Sequence, residues 1–127
     1  MLDHLGVIVR SSDESKRFYT AALAPLGYAL IEEHTGWAGF GPPGKPLFWI
    51  GTSKSDDCSL SGPVHFAFIA KDRSAVAAFH AAAIEAGALD NGPPGLRPEY
   101  HANYFGAFVI DPDGNNIEAV CHDPALP

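Results

Sequence analysis

Basic side chains are scarce: eight Lys and Arg stand against fifteen Asp and Glu, for a formal net charge of -7. With so little positive charge to meet a phosphate backbone, nucleic acid is not an expected partner. Cysteine is nearly missing as well. Cys58 and Cys121 are too few for a disulfide framework and lack the close spacing of a zinc ribbon or redox motif, which leaves two free thiols. No run approaches the twenty or so apolar residues a bilayer span needs, and Met1-Leu2-Asp3-His4 lacks the basic start of a secretion signal. The expectation is a cytoplasmic protein with no membrane partner.

What the sequence does contain is enough for a core. Of 127 residues, 46% are hydrophobic and only 18% charged, which excludes a disordered polyelectrolyte and fits one domain spanning residues 1–127. Thirteen Gly and eleven Pro gather in clusters, so many tight turns should separate short elements in a sheet-rich fold.

The chain repeats itself once. Asp3-His4-Leu5-Gly6-Val7-Ile8-Val9 and Val64-His65-Phe66-Ala67-Phe68-Ile69-Ala70 are strand-like runs, each with a histidine near its start. Helices follow both. Ser11 and Glu14 form a capping box ahead of Phe18, Ala22 and Leu26, and Pro25 should end that helix near Ala24. Asp72 caps the second helix, whose apolar stripe is Val76, Phe79, His80 and Ala83, and Gly87 stops it. Each copy then runs into a hairpin, and Gly41-Pro42-Pro43-Gly44 aligns without gaps with Asp111-Pro112-Asp113-Gly114. This registration sets Phe48 in the place of Glu118.

The fold class is therefore α+β, built of paired βαβββ modules at about 1–56 and 62–123. They should form a curved mixed sheet with helices outside and the half-sheets turned toward a concave interior. Strand alternation puts Leu5, Val7 and Val9 on the first helix and turns His4, Gly6 and Ile8 inward. Phe66 and Phe68 pack outward in the same way, leaving His65, Ala67 and Ile69 inside.

Glu118 interrupts an apolar strand, and a lone buried carboxylate demands a proton, a cation or several donors. If it faces inward with His4 and His65, two imidazoles and a carboxylate make the ligand set of an open divalent-metal site. Taken singly, each residue has a plainer reading as core or surface. Two histidines at equivalent repeat positions with a Glu on the last strand form a pattern those readings do not predict.

The paired units, the histidine near the start of each, the Asp111-Pro112-Asp113-Gly114 turn and Asn116-Ile117-Glu118 resemble the vicinal oxygen chelate superfamily. That superfamily includes glyoxalase I, fosfomycin and bleomycin resistance proteins and extradiol dioxygenases. The resemblance implies a homodimer and one divalent metal ion, Zn, Fe, Mn or Ni, held by His4, His65 and Glu118. It also implies a fourth ligand position, at the end of the first module, which falls on Phe48. Phe48 neither binds metal nor takes a proton, so it would face the substrate and the isomerase with two acidic ligands is not matched.

Gly92 to Asn103 reads as a long, turn-rich loop absent from the first module, and such loops often select ligands. Within and beside it, His101 is a candidate acid or base, Tyr104 a donor to a bound oxygen, Arg97 a cationic contact and Tyr100 an aromatic wall. Trp37 and Trp49 could wall an apolar or aromatic substrate. His34, His80 and His122 receive no role. The leading expectation is a divalent-metal enzyme of lyase, isomerase or dioxygenase type acting on a small molecule with adjacent oxygens. The alternative is a metal-free small-molecule or antibiotic-binding protein of the bleomycin-resistance kind. Whether the site forms within one chain or between two stays open.

Overall fold

The computed structural model describes residues 1–52 and 63–124; Cys58 and the expected boundary between the modules lie outside the described residues. Each half of the chain forms a strand, a helix and three more strands. The first comprises β1 (Leu5–Ile8), α1 (Ser12–Leu23), β2 (Ala29–His34), β3 (Trp37–Gly41) and β4 (Phe48–Gly51). The second comprises β5 (His65–Ile69), α2 (Arg73–Glu85), β6 (Leu89–Leu96), β7 (Phe105–Ile110) and β8 (Asn116–Cys121). The two four-stranded sheets repeat one order, β1-β4-β3-β2 and β5-β8-β7-β6, each with a parallel first pair and antiparallel remainder. Among the described residues no helix is long and apolar enough to cross a membrane.

Local chemistry places the helices where the sequence puts them. The Ser11 hydroxyl accepts from the Glu14 amide at 3.2 Å, and the Asp72 carboxylate accepts from Ala75 at 2.8 Å, each satisfying an amide that the first turn leaves unpaired. A short 3-10 turn, Ala24–Leu26, follows α1 at Pro25 and ends on Gly27 with φ +83.

Strand parity sorts the sheet faces. Leu5, Phe48 and Phe40 lie in one cross-strand row, and Val7, Ile50 and Ala38 in another, all on the face that carries α1. Phe66 with Ile117 and Val109, and Phe68 with Ala119 and Ala107, occupy the corresponding face beneath α2. The helices pack on each other, and the Phe48 ring lies 5.1 Å from Phe66 and 5.4 Å from Phe68, so both helix-bearing faces drain into one core. The opposite faces look away from it.

Two expectations need correction. Phe48 is fully buried in that core and faces no ligand. In the register, Gly6 pairs with Trp49 as Ala67 pairs with Glu118, so Trp49 is the counterpart of Glu118. One additional residue between the Gly41–Gly44 turn and β4 defeats the gap-free alignment, and a slip of one residue exchanges the two faces of a strand. Residues 92–96 are also not loop but the second half of β6. Its pairing with β7 jumps from Gly92–Phe108 to Gly95–Gly106, a bulge that accommodates Pro93 and Pro94, which have no amide to donate.

A buried carboxylate locks the modules together. Asp111, 4% exposed, accepts from the amides of Asp113 and Asn115 through Oδ1, and from the Asn115 side chain and the Tyr19 hydroxyl of α1 through Oδ2. Burial and the facing Asp111 hold the Tyr19 phenol well above its usual pKa, so it remains a donor. Asp113 adds bonds to the Arg10 amide and the Ser15 hydroxyl. Asp111→Ala strands several buried donors and should lower unfolding free energy by about 3 kcal/mol, with Tyr19→Phe costing about 1–2 kcal/mol, as read by urea denaturation.

Candidate active site

Glu118 sits in β8 between Ile117 and Ala119, on the face turned away from the helices. It is 2% exposed, and each carboxylate oxygen has a neighbour. The Tyr104 hydroxyl donates to Oε2, and His65 Nε2 faces Oε1 at 3.2 Å. Gly106 makes this possible: a Cβ there would lie 3.0 Å from Oε2 and 3.2 Å from the Tyr104 ring. Burial, and secondarily the bond to Glu118, push the Tyr104 phenol above its ordinary value, so the hydroxyl keeps its proton and serves as a donor.

The His65 tautomer follows from its other nitrogen. Nδ1 lies 3.0 Å from the Asn116 carbonyl, which can only accept, so Nδ1 carries hydrogen. In the neutral ring Nε2 is then a lone pair aimed at a carboxylate oxygen. Two acceptors held this way call for a positive charge between them, a proton on the ring or a metal ion. Two donor atoms each about 2.1 Å from one ion stand about 3.0–3.4 Å apart at octahedral to tetrahedral angles, which the 3.2 Å separation matches. A carbonyl fixing the far nitrogen is the usual support of a metal-binding imidazole. The pair fits as part of a metal site.

His4 is not with them. It lies 59% exposed in a separate pocket with Gly6, Trp37 and Trp49, and its Nδ1 donates to Asp3 at 2.6 Å, with Lys45 on the other Asp3 oxygen. That bond also frees Nε2 as a lone pair. Lys45 and His4 hold the exposed Asp3 below the usual carboxylate range. Among the described residues of one chain no three His, Cys, Asp or Glu converge to hold a metal. The three expected ligands therefore do not meet inside a single copy, because their sheet faces point away from a shared core.

The other expected residues divide similarly. Tyr100, Tyr104 and Phe108 surround His65 and Glu118 in a pocket of about 310 Å3, and Arg97 lines an adjoining one. Trp37 and Trp49 belong to the His4 face. Their indoles lie against Gly51 and Gly39, where added Cβ atoms would come within 2.3 Å and 2.9 Å of the rings. His101 does not line the pocket. Its Nε2 pairs with His122 at 2.8 Å and its Nδ1 accepts from the Asn103 amide, so it braces the loop that carries Tyr104. Phe108, Gly106, Asp3 and His122 escaped the sequence reading. The signals for Gly106 and Phe108 were a strand-interior glycine and their nearness to Glu118 across a hairpin.

The sequence pattern of the Glyoxalase/Bleomycin resistance protein/Dioxygenase superfamily matches residues 1–119. A glyoxalase/bleomycin resistance protein from Albidiferax ferrireducens T118 is 29% identical, over 95% of this chain and 98% of that one, with a TM-score of 0.80. A glyoxalase-related enzyme from Fulvimarina pelagi (16% identity, 100% and 91% covered, TM-score 0.73) shares the fold. So does a glyoxalase/bleomycin resistance protein/dioxygenase family enzyme from Burkholderia phytofirmans PsJN (19%, 96% and 98%, TM-score 0.70). No curated protein matches the sequence.

The raised phenols carry a sign that can be measured. Tyr19 and Tyr104 keep their protons in the folded chain above pH 10, the ordinary tyrosine value, while the unfolded chain loses them. Stability from these groups is thus complete below that pH and falls as pH rises through the folded values. Tyr104→Phe should remove one late-titrating phenol from the ultraviolet titration and flatten the alkaline loss of stability.

Proposed function

The chain belongs to the Glyoxalase/Bleomycin resistance protein/Dioxygenase superfamily, and from that premise we propose that it is a divalent-metal-dependent enzyme acting on a small molecule with adjacent oxygens. The observation that carries this reading is His65 Nε2 set 3.2 Å from a buried carboxylate while Nδ1 faces the Asn116 carbonyl, an arrangement that calls for a positive charge between nitrogen and oxygen and that a divalent ion would supply. His65 and Glu118 would hold Zn, Fe, Mn or Ni, with His4 of a second copy as third ligand. When bound, such an ion supplies Lewis acidity toward the substrate oxygens.

A homodimer is the natural source of the missing imidazole. The helix-free faces leave apolar side chains uncovered, with Ile69 67% and Leu89 68% exposed, and both Trp37 and Trp49 are half-buried. Covering them would remove apolar surface from water at about 25 cal/mol per Å2. Tyr104 fixes the Glu118 carboxylate so that Oε1 stays toward His65, and Tyr100 and Phe108 line the pocket beside them. With Trp49 in the place equivalent to Glu118, the site has one carboxylate. That disfavours an isomerase relying on two acidic ligands and leaves lyase or dioxygenase chemistry.

A second reading, a metal-free binding protein of the bleomycin-resistance kind, is favoured by the two indoles laid flat on glycines across one open face. Such a surface suits a planar ligand. Titration calorimetry separates the readings. The unmutated protein should take up divalent metal; His65→Ala and Glu118→Gln should abolish uptake, and Asp3→Ala should weaken it about tenfold by releasing His4. Mixing His4→Ala with Glu118→Gln chains should restore one site per dimer. No metal uptake by the unmutated protein, or equal affinity in Glu118→Gln, overturns the enzyme reading.

A further inference from the structure

The bulge in β6 builds a cradle. Gly92, at φ +149, and Gly95 leave room for the Arg97 guanidinium to fold back over them; Cβ atoms there would lie 3.2 Å from Nη2 and 3.1 Å from Nη1. Nη2 donates to the Pro93 carbonyl at 2.7 Å, and Nη1 reaches the Leu96 carbonyl at 3.4 Å. The guanidinium carbon stands 5.5 Å from the centre of the Phe108 ring, and the His65 imidazole stacks 6.2 Å from the same ring. Backbone and ring therefore orient this cation. Among the described residues no carboxylate pairs with it, although Glu99 lines the same pocket and the chain carries a net charge of -7.

The position is not remote from the candidate site. The Arg97 pocket and the His65–Glu118 pocket share Tyr100 and Phe108. The positive charge of Arg97 is felt at Tyr104, where it opposes the upward shift of the phenol. A pre-oriented guanidinium beside a half-apolar pocket presents a planar fork that suits the two oxygens of a carboxylate.

We infer that the ligand of the His65–Glu118 pocket carries a carboxylate, which Arg97 binds while the adjacent oxygens lie beside His65 and Glu118. This narrows the substrate class and rests on reading that pocket as the ligand site. Arg97 acts as a specificity-determining contact, outside the metal-holding set. The Gly92–Gly95 bulge serves to hold it at a fixed angle.

The test compares 3,4-dihydroxybenzoate with its uncharged parent catechol on the full chain, by nuclear magnetic resonance titration with and without zinc. The acid should bind about tenfold more tightly, as one charge-assisted pair warrants, and should shift the Arg97 Nε–H signal. Arg97→Met should erase the preference of the acid over catechol while leaving zinc affinity unchanged; should it fail to fold, Arg97→Lys should reduce the preference by weakening the fork. Equal affinity for the two compounds, no binding of either, or a preference that survives substitution overturns the inference. Zinc binding is read separately on the same samples. A protein that prefers the acid yet takes up no zinc upholds the Arg97 assignment and removes the metal reading alone.

Discussion

The buried Asp111 carboxylate is the constraint on which the candidate site depends. By gathering the amides of the β7–β8 turn and the hydroxyl of Tyr19, it anchors one module's hairpin to the other module's helix. Its partner Asn115 passes the order on, because the Asn115 side-chain oxygen accepts from the Val64 amide just ahead of β5. His65 comes next in the chain, and Glu118 lies three residues past Asn115. A single polar cluster thus sets the register of both strands that bring imidazole and carboxylate together. A buried carboxylate with all its hydrogen bonds met is tolerable inside a protein, whereas one left short is costly.

Glu118 makes the contrasting case. Among the described residues Asp111 has four donors, but Glu118 has one hydroxyl donor, Tyr104, and otherwise faces a ring nitrogen of His65 whose partner nitrogen lies against the Asn116 carbonyl. The first carboxylate is finished as architecture. The second lines a pocket, with an imidazole beside one oxygen and a phenol on the other. The same fold has therefore buried two acids in different surroundings, and the difference is legible in their donors.

Much of the architecture could be read from residue order. The capping residues Ser11 and Asp72, the repeat of histidine-bearing strands and the Asp111–Gly114 turn all act locally, so the sequence announces them. Glu118 was visible as well, as an acid in an apolar strand. What could not be read was nonlocal. One residue of slack between a turn and β4 exchanged Phe48 for Trp49, since strand faces alternate with every residue. The proline-rich stretch 92–96 looked like loop because its pairing skips the residues that lack amides. The separation of His4 from His65 followed from which faces the two sheets share, a matter of packing between modules that no local pattern encodes.

The glycines beneath the indoles carry an optical consequence. The chain has two tryptophans, and both lie flat over Gly39 and Gly51 on the outward face of the first sheet. The protein's intrinsic indole emission therefore originates from that single surface, where quenching or a colour change would register whatever settles on it.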